Sequence, residues 1–338
     1  MSDTLYLIGN GFDLHHGIKS CYSHFRQYLA EFHTELYEVA MLHMMEEETR
    51  WWDAMPASEL GDALSQMPKS EADREWRVRN LWKSFEFQLG DVDAGGLFEV
   101  GESFLQSYGA EDWSESGHHD CQYEIGKITD QLSGSLQEAF HAWISKVTIP
   151  SRDQAADSLL KIDVEAKFMN FNYTNTLERV YGITNGNILH IHGRCNTDID
   201  EIVIGHQGRE GSVNDGLDVE NADPRVLESN EVIDAYYQST TKPVATIIEL
   251  HGEFFRSFSD VTNVKILGHS FGEVDLPYFA EVARNVDSNT TWIASCYAKS
   301  DEENLGSVDL GLGFGNPKIA PFSLGDLLLD ARQRECLS

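Results

Sequence analysis

The sequence predicts an α/β fold, a parallel sheet with a mostly helical domain inserted after its first strand. Three observations carry this. Short apolar runs rich in branched and aromatic residues alternate with helical patterns, the mark of strands joined by crossover helices. The first run stands alone near the start, and the others return only after Pro150. The stretch between shows helical spacing and holds most of the tryptophans. A length of 338 residues suits two domains.

The first element, Thr4-Leu5-Tyr6-Leu7-Ile8, is apolar throughout and ends on Gly9-Asn10-Gly11, as a doubly buried strand entering a tight loop would. Next comes a helical block over 20–149. Ile125, Ile128, Leu132, Leu136, Phe140 and Trp143 recur at helical spacing, as do Trp82, Phe85 and Leu89. Six of the seven tryptophans lie between Trp51 and Trp143, so this block should own a core. Strands are then expected at Ala166–Phe171, Asn187–His192, Glu201–Ile204, Asn263–Leu267 and Thr291–Ala294. Helices are expected at Val244–Phe258 and Leu276–Val286, and 206–230, acidic and rich in Gly, Asn and Asp, reads as a long loop or lid. No internal repeat is evident.

The chain carries 25 Lys and Arg against 56 Asp and Glu, a net charge of −31, with no basic run. It should repel nucleic-acid backbones and anionic membranes. Met1-Ser2-Asp3-Thr4 has no basic character, and the apolar run after it is too short for a signal peptide or a membrane span. The five cysteines are scattered without a CxxC pair, which argues against a disulfide framework or a cysteine-rich zinc site. A reduced, cytoplasmic protein is the expectation.

In open α/β sheets, ligands bind beyond the carboxyl ends of the strands. Four polar clusters fall at predicted strand ends: Gly9-Asn10-Gly11-Phe12-Asp13, Asn172-Tyr173-Thr174-Asn175, His192-Gly193-Arg194 and Gly268-His269-Ser270-Phe271-Gly272. Their coincidence on separate strands points to one shared pocket. Gly9-x-Gly11 lets a backbone approach a phosphate, but Leu14 stands where the dehydrogenase fingerprint needs a third glycine. A tight turn alone also explains it, and Asp13 could be a helix cap. His190 and His192 have a metal-ligand spacing, with His206, His251 and Asp13 as further donors, yet strand-end histidines are more often packing residues. Gly268-x-Ser270-x-Gly272 matches a nucleophile elbow, but no histidine follows Ser270 to act as its base. Ser270 could instead be an N-cap, and Asp275 could cap the helix that follows.

Four stretches resemble the AbiH family of bacterial abortive-infection proteins: LYLIGNGFDLHHGIKSCYSHF, FNYTNTLERVYG, ILHIHG and ILGHSFGEVDLPYF. The same clusters are similar to a diverged sirtuin-type, Rossmann-like NAD-binding fold. That resemblance implies a nucleotide-binding α/β domain from 1–19 and 150–338. It places Gly9, Asn10, Gly11, Asp13, Tyr173, Gly268 and Ser270 against the nucleotide and makes Asn172 and His192 catalytic. Thr174 departs from the sirtuin motif, which has Asp there, and the zinc cysteines of the deacetylases are missing.

The implied activity is NAD glycohydrolase (NADase) chemistry in an anti-phage effector, releasing nicotinamide and ADP-ribose at a metal-free site, with no cofactor beyond NAD as substrate. Cleavage of the nicotinamide–ribose bond develops oxocarbenium charge, as glycoside hydrolysis does. Asn172 could orient water or ribose, and His192 could serve as base. Two other classes stay open: a metal-dependent phosphoesterase or nuclease built on the HxH pair, and a non-enzymatic nucleotide-binding sensor of infection. The implied partners are NAD or a related nucleotide, a phage-derived trigger, and a homo-oligomer or second defence protein.

Overall fold

A computed structural model of the chain describes residues 2–44, 82, 84–105, 107–109, 115–312 and 316–329. Trp51, Trp52, Trp76 and Trp113, expected in the core of the helical block, lie outside the described residues. The chain divides into two compact units, one of Met1–Cys21, His141–Val203 and Pro243–Ser338, the other of Tyr22–Phe140 and Ile204–Lys242.

The first unit holds an open, all-parallel sheet of six strands: β1 (Thr4–Ile8), β2 (Lys167–Asn170), β3 (Ile188–His190), β4 (Asn263–Leu267), β5 (Thr291–Ser295) and β6 (Ile319–Phe322), in the order β3-β2-β1-β4-β5-β6. β1 is central, and every residue of it is buried. That burial explains its unbroken apolar run, because strand alternation serves two cores at once. Leu5 and Leu7 join Met169, Val264 and Ile266 on one face, while Tyr6 and Ile8 join Phe168 and Leu267 on the other. Register is in phase across the centre, with Ile8 level with Asn170 on one side and Leu267 on the other. The loops that follow β1, β2 and β4 therefore start at one height.

β6 carries Pro321 and was not anticipated. A proline cannot donate to a ladder, which depresses the strand signal, yet an edge strand needs only one bonded side. The expected strand over Glu201–Ile204 does not form. Ile199–Glu201 is a short 3₁₀ turn, after which the Val203 N–H donates to the His192 carbonyl at 3.0 Å. Gly193 permits this fold-back: its φ is +78°, and a Cβ there would sit 2.0 Å from the Glu201 carbonyl oxygen.

Helices flank the strands. Asn10–His15 follows β1, Thr176–Tyr181 follows β2, and Leu276–Asn285 follows the loop after β4. The first is braced from behind. Buried His16 contacts the Phe12 carbonyl at 2.7 Å and the Tyr181 hydroxyl at 2.8 Å, and burial lowers its pKa to about 4. The expected helix over Val244–Phe258 is two helices, Val244–Leu250 and Gly252–Arg256.

In the second unit, Asp120–Asp130 leads through a π-helical turn, Gln131–Ser135, into the helix Leu136–Ile144, of which residues up to Phe140 belong to this unit. Its aromatic centre joins Phe25, Trp82, Phe85 and Phe140, with Trp82 stacked on Phe85 at 5.4 Å. The stretch 206–230 is not all loop. Asp223 accepts the Arg225 N–H as N-cap and Pro224 opens the helix Pro224–Ser239, a start signal outweighed in the sequence by the surrounding Gly and Asn. No helix among the described residues is long and apolar enough to cross a membrane.

Candidate active site

The order of strands reverses between β1 and β4, and at such a switch point the loops leaving the carboxyl ends diverge and open a crevice. Here the first turns of the two loops are knitted together. The Gly9 N–H donates to the Leu267 carbonyl at 2.9 Å, and the Gly11 N–H donates to the Gly268 carbonyl at 2.7 Å. A Cβ on Gly9 would lie 2.5 Å from His269 Cα, and one on Gly11 would lie 2.8 Å from Gly268 Cα. These glycines let two backbones touch. The Ser295 hydroxyl, from the end of β5, accepts the Gly268 N–H at 2.7 Å.

The β2 loop closes against the same turn. Asn172 donates from Nδ2 to the Gly9 carbonyl at 3.0 Å, and its backbone N–H donates to Asn170 Oδ1 at 3.1 Å. Tyr173 donates its hydroxyl to the Val203 carbonyl at 2.9 Å and sets its ring 6.1 Å from His192. Asn10 accepts from the Ser20 hydroxyl at 2.7 Å. Ser270 is exposed on its loop, and Phe271, the next residue, takes the left-handed conformation with φ +57°.

Asp13 is wholly enclosed, and both carboxylate oxygens are engaged. Thr174 donates to one at 2.7 Å and Thr176 to the other at 2.7 Å. Burial pushes the acid above the ordinary carboxylate range, with the Thr174, Thr176, Ser20 and Asn172 side chains pulling the other way. A raised folded-state pKa favours the protonated form. Its stabilising contribution is complete below about pH 4, the unfolded value, and is lost as pH rises through the folded value. Asp13→Asn abolishes that ionisation and keeps the shape. The variant's stability relative to the parent should climb as pH is raised from about 4 to 8, as read by urea unfolding. A pH-independent difference would refute the raised acid.

The histidines of the HxH pair part company. β3 ends at His190, whose Nε2 meets Glu178 Oε1 at 3.0 Å, and Asn170 Nδ2 lies 3.3 Å from its Nδ1. Burial acts to raise the Glu178 carboxyl, but His190 and Arg194 outweigh it and hold it below its ordinary value. His192, past the end of the strand, turns instead to Asp275. His190, His192 and Asp13 form no three-ligand group with each other or with His206 and His251 among the described residues.

Asp275 is the residue that sequence reasoning undervalued. It precedes Leu276–Asn285, but its side chain makes no capping hydrogen bond. Its carboxylate lies between two imidazoles, Oδ1 at 3.3 Å from His192 Nε2 and Oδ2 at 3.3 Å from His269 Nε2. The tautomer of His269 follows from its other nitrogen: Nδ1 accepts the Phe271 N–H at 2.9 Å, so in the neutral ring the proton is on Nε2, facing the carboxylate. Aromatic rings wall the group, Phe171 at 4.5 Å from His269 and 5.6 Å from His192, Tyr278 at 5.7 Å from His192, and Phe279 at 4.8 Å from His269. In such low-dielectric surroundings a carboxylate stabilises an imidazolium strongly, which equips a histidine to take a proton in a reaction. The only signal in the sequence was the pairing of His269 and Asp275 across one turn, and it says nothing of His192.

Gly9, Gly11, Asn172 and Gly268 thus lie in one contact network, and His192 joins it through Asp275 and His269. Asp13 supports it from inside, while Ser270 stands apart on the surface. No curated protein and no solved structure shows significant similarity to the chain. The family described as bacteriophage abortive infection AbiH matches residues 5–296, a span that holds β1 to β5 and all four strand-end clusters. Over that length the correspondence covers five of the six strands and the whole site, and the chain belongs to the AbiH family of bacteriophage abortive-infection proteins.

Proposed function

We propose that this abortive-infection protein is an effector whose α/β unit hydrolyses NAD, water displacing nicotinamide from the ribose to leave ADP-ribose and a proton. The observation that carries the reading is the Asp275 carboxylate set between His192 and His269, beside the loops that meet at the switch point of the sheet. The strand order 3-2-1-4-5-6 supports it, since doubly wound, Rossmann-like sheets of that order bind dinucleotides at this crevice. So does the sirtuin-like succession of strand-end motifs.

In this reading His192 takes the proton from the attacking water or a ribose hydroxyl, and Asp275 stabilises the resulting imidazolium. Asn172 is held by the Gly9 carbonyl through Nδ2, and its Oδ1 is the acceptor offered to ribose or water. A trigger produced by infection and assembly into a homo-oligomer or with a second protein complete the proposal.

Purified protein incubated with NAD should release nicotinamide and ADP-ribose, followed by chromatography, equally with and without EDTA. Asn172→Ala and His192→Ala should each lose this release while remaining folded by circular dichroism. Release by His192→Ala at the parent rate would remove the base. Nucleotide binding with no turnover, even in extract of phage-infected cells, would favour a sensor over an enzyme.

A further inference from the structure

Within the second unit, another group of side chains is arranged for chemistry. His118 and His119 end the 3₁₀ turn Glu115–His119, and Glu228 lies on the helix Pro224–Ser239. Glu228 Oε2 stands 3.9 Å from His118 Nε2 and 3.8 Å from His119 Nδ1. Those separations exceed hydrogen-bond lengths of about 2.7–3.2 Å. They approach the spacing of two ligands on one tetrahedral ion, where bonds of about 2.0–2.2 Å hold donor atoms roughly 3.4 Å apart. One donor atom from each residue falls within 4.8 Å of the other two.

We propose that His118, His119 and Glu228 bind a divalent transition-metal ion of the zinc class. Two imidazoles with one carboxylate form a donor set suited to zinc and its neighbours, and unsuited to calcium or magnesium, which prefer oxygen alone. No lysine or arginine among the described residues pairs with Glu228, and the charged groups beside it are the two histidines.

The site rests on rigid supports. Cys121 and Ser229, close to the ligands along the chain, are fully buried and joined by a hydroxyl-to-sulfur contact of 3.1 Å, which clamps their two helices together. Gln122 donates to Glu228 Oε2 at 2.7 Å and fixes the carboxylate, the role that outer-shell partners play at metal centres. Its Oε1 lies 3.2 Å from His119 Nδ1. A ligating nitrogen must carry no proton, so metal uptake exchanges that hydrogen bond for the metal bond and leaves the Gln122–Glu228 bond in place. All three ligands reach solvent, and the strongly acidic chain enriches cations around itself. Three protein ligands also leave one position open for water or an external donor.

Isothermal titration of the full-length protein with zinc chloride tests this. One equivalent should bind saturably, and both His118→Ala and the isosteric Glu228→Gln should weaken that binding at least tenfold. Unchanged urea midpoints without zinc would verify that the partly exposed substitutions leave the fold intact. An absence of saturable uptake, or uptake whose stoichiometry and affinity neither substitution alters, overturns the site.

Discussion

On the proposed NAD hydrolysis, Asp275→Asn is expected to lower turnover by a factor of about 10² to 10⁴ in a protein that still folds. His269 presents its Nε2 proton to Oδ2, because its Nδ1 is committed to the Phe271 N–H. An asparagine keeps one oxygen, and that oxygen stays with His269 as the acceptor its proton requires. The amide nitrogen then faces His192, where Oδ1 stands 3.3 Å from Nε2. The amide donates, so Nε2 of His192 must accept and its ring proton moves to Nδ1. The tautomer is reversed, and the negative charge that stabilised the imidazolium is gone. The measurement is kcat/KM against pH, with circular dichroism and a thermal melt alongside. A residue that merely holds the loop would lower the melting temperature and leave the shape of the profile alone. An unaltered profile at the parent rate would end the role given to Asp275.

The second large effect concerns the fold. Gly268 has φ +68°, and a Cβ there would sit 2.3 Å from the Phe12 nitrogen and 2.5 Å from the Gly11 carbonyl carbon. Both are backbone atoms in the first turn of the helix Asn10–His15, which follows the fully buried β1, and they cannot yield singly. Gly268→Ala should therefore cost roughly 3 kcal/mol or more, combining left-handed strain with a collision between two loops. Gly182 supplies the control, since its φ is +72° but nothing lies within 4 Å of the added carbon. Gly182→Ala should cost only the conformational part, about 1–2 kcal/mol. Urea unfolding of the two variants separates these contributions. Equal midpoints would show that the loops can move apart.

Much of this was legible in the residues. The apolar runs marked five of the six strands, because a parallel strand buried on both faces needs no polar partner and reads as continuous hydrophobicity. β6 escaped notice because Pro321 weakens the very signal that identifies a strand. The strand expected over Glu201–Ile204 had the right composition but lost its ladder where Gly193 folds the chain back. The strand-end clusters were recognisable as clusters. Their inner division of labour was not. Gly9 and Gly11 suggested a phosphate loop and Gly268 a separate nucleotide contact, and the structure has them holding two loops in backbone contact. Thr174, an oddity as a departure from the sirtuin pattern, donates to the buried Asp13. An aspartate at 174 would set a second carboxylate against the first in a desolvated place.

By itself, the sequence determined the class of fold, the family and the ends of the strands at which the polar clusters gather. Local periodicity and motif order are properties of neighbouring residues, and they survive without knowledge of what packs where. Only the tertiary structure decided that His190 belongs to Glu178 and His192 to Asp275, residues far apart along the chain or on different strands' loops. It also brought Glu228 to His118 and His119 across more than a hundred residues of chain. Hydrogen bonds and ion pairs act over a few ångströms with a definite direction, and no spacing along a chain encodes which distant side chain will arrive within that reach.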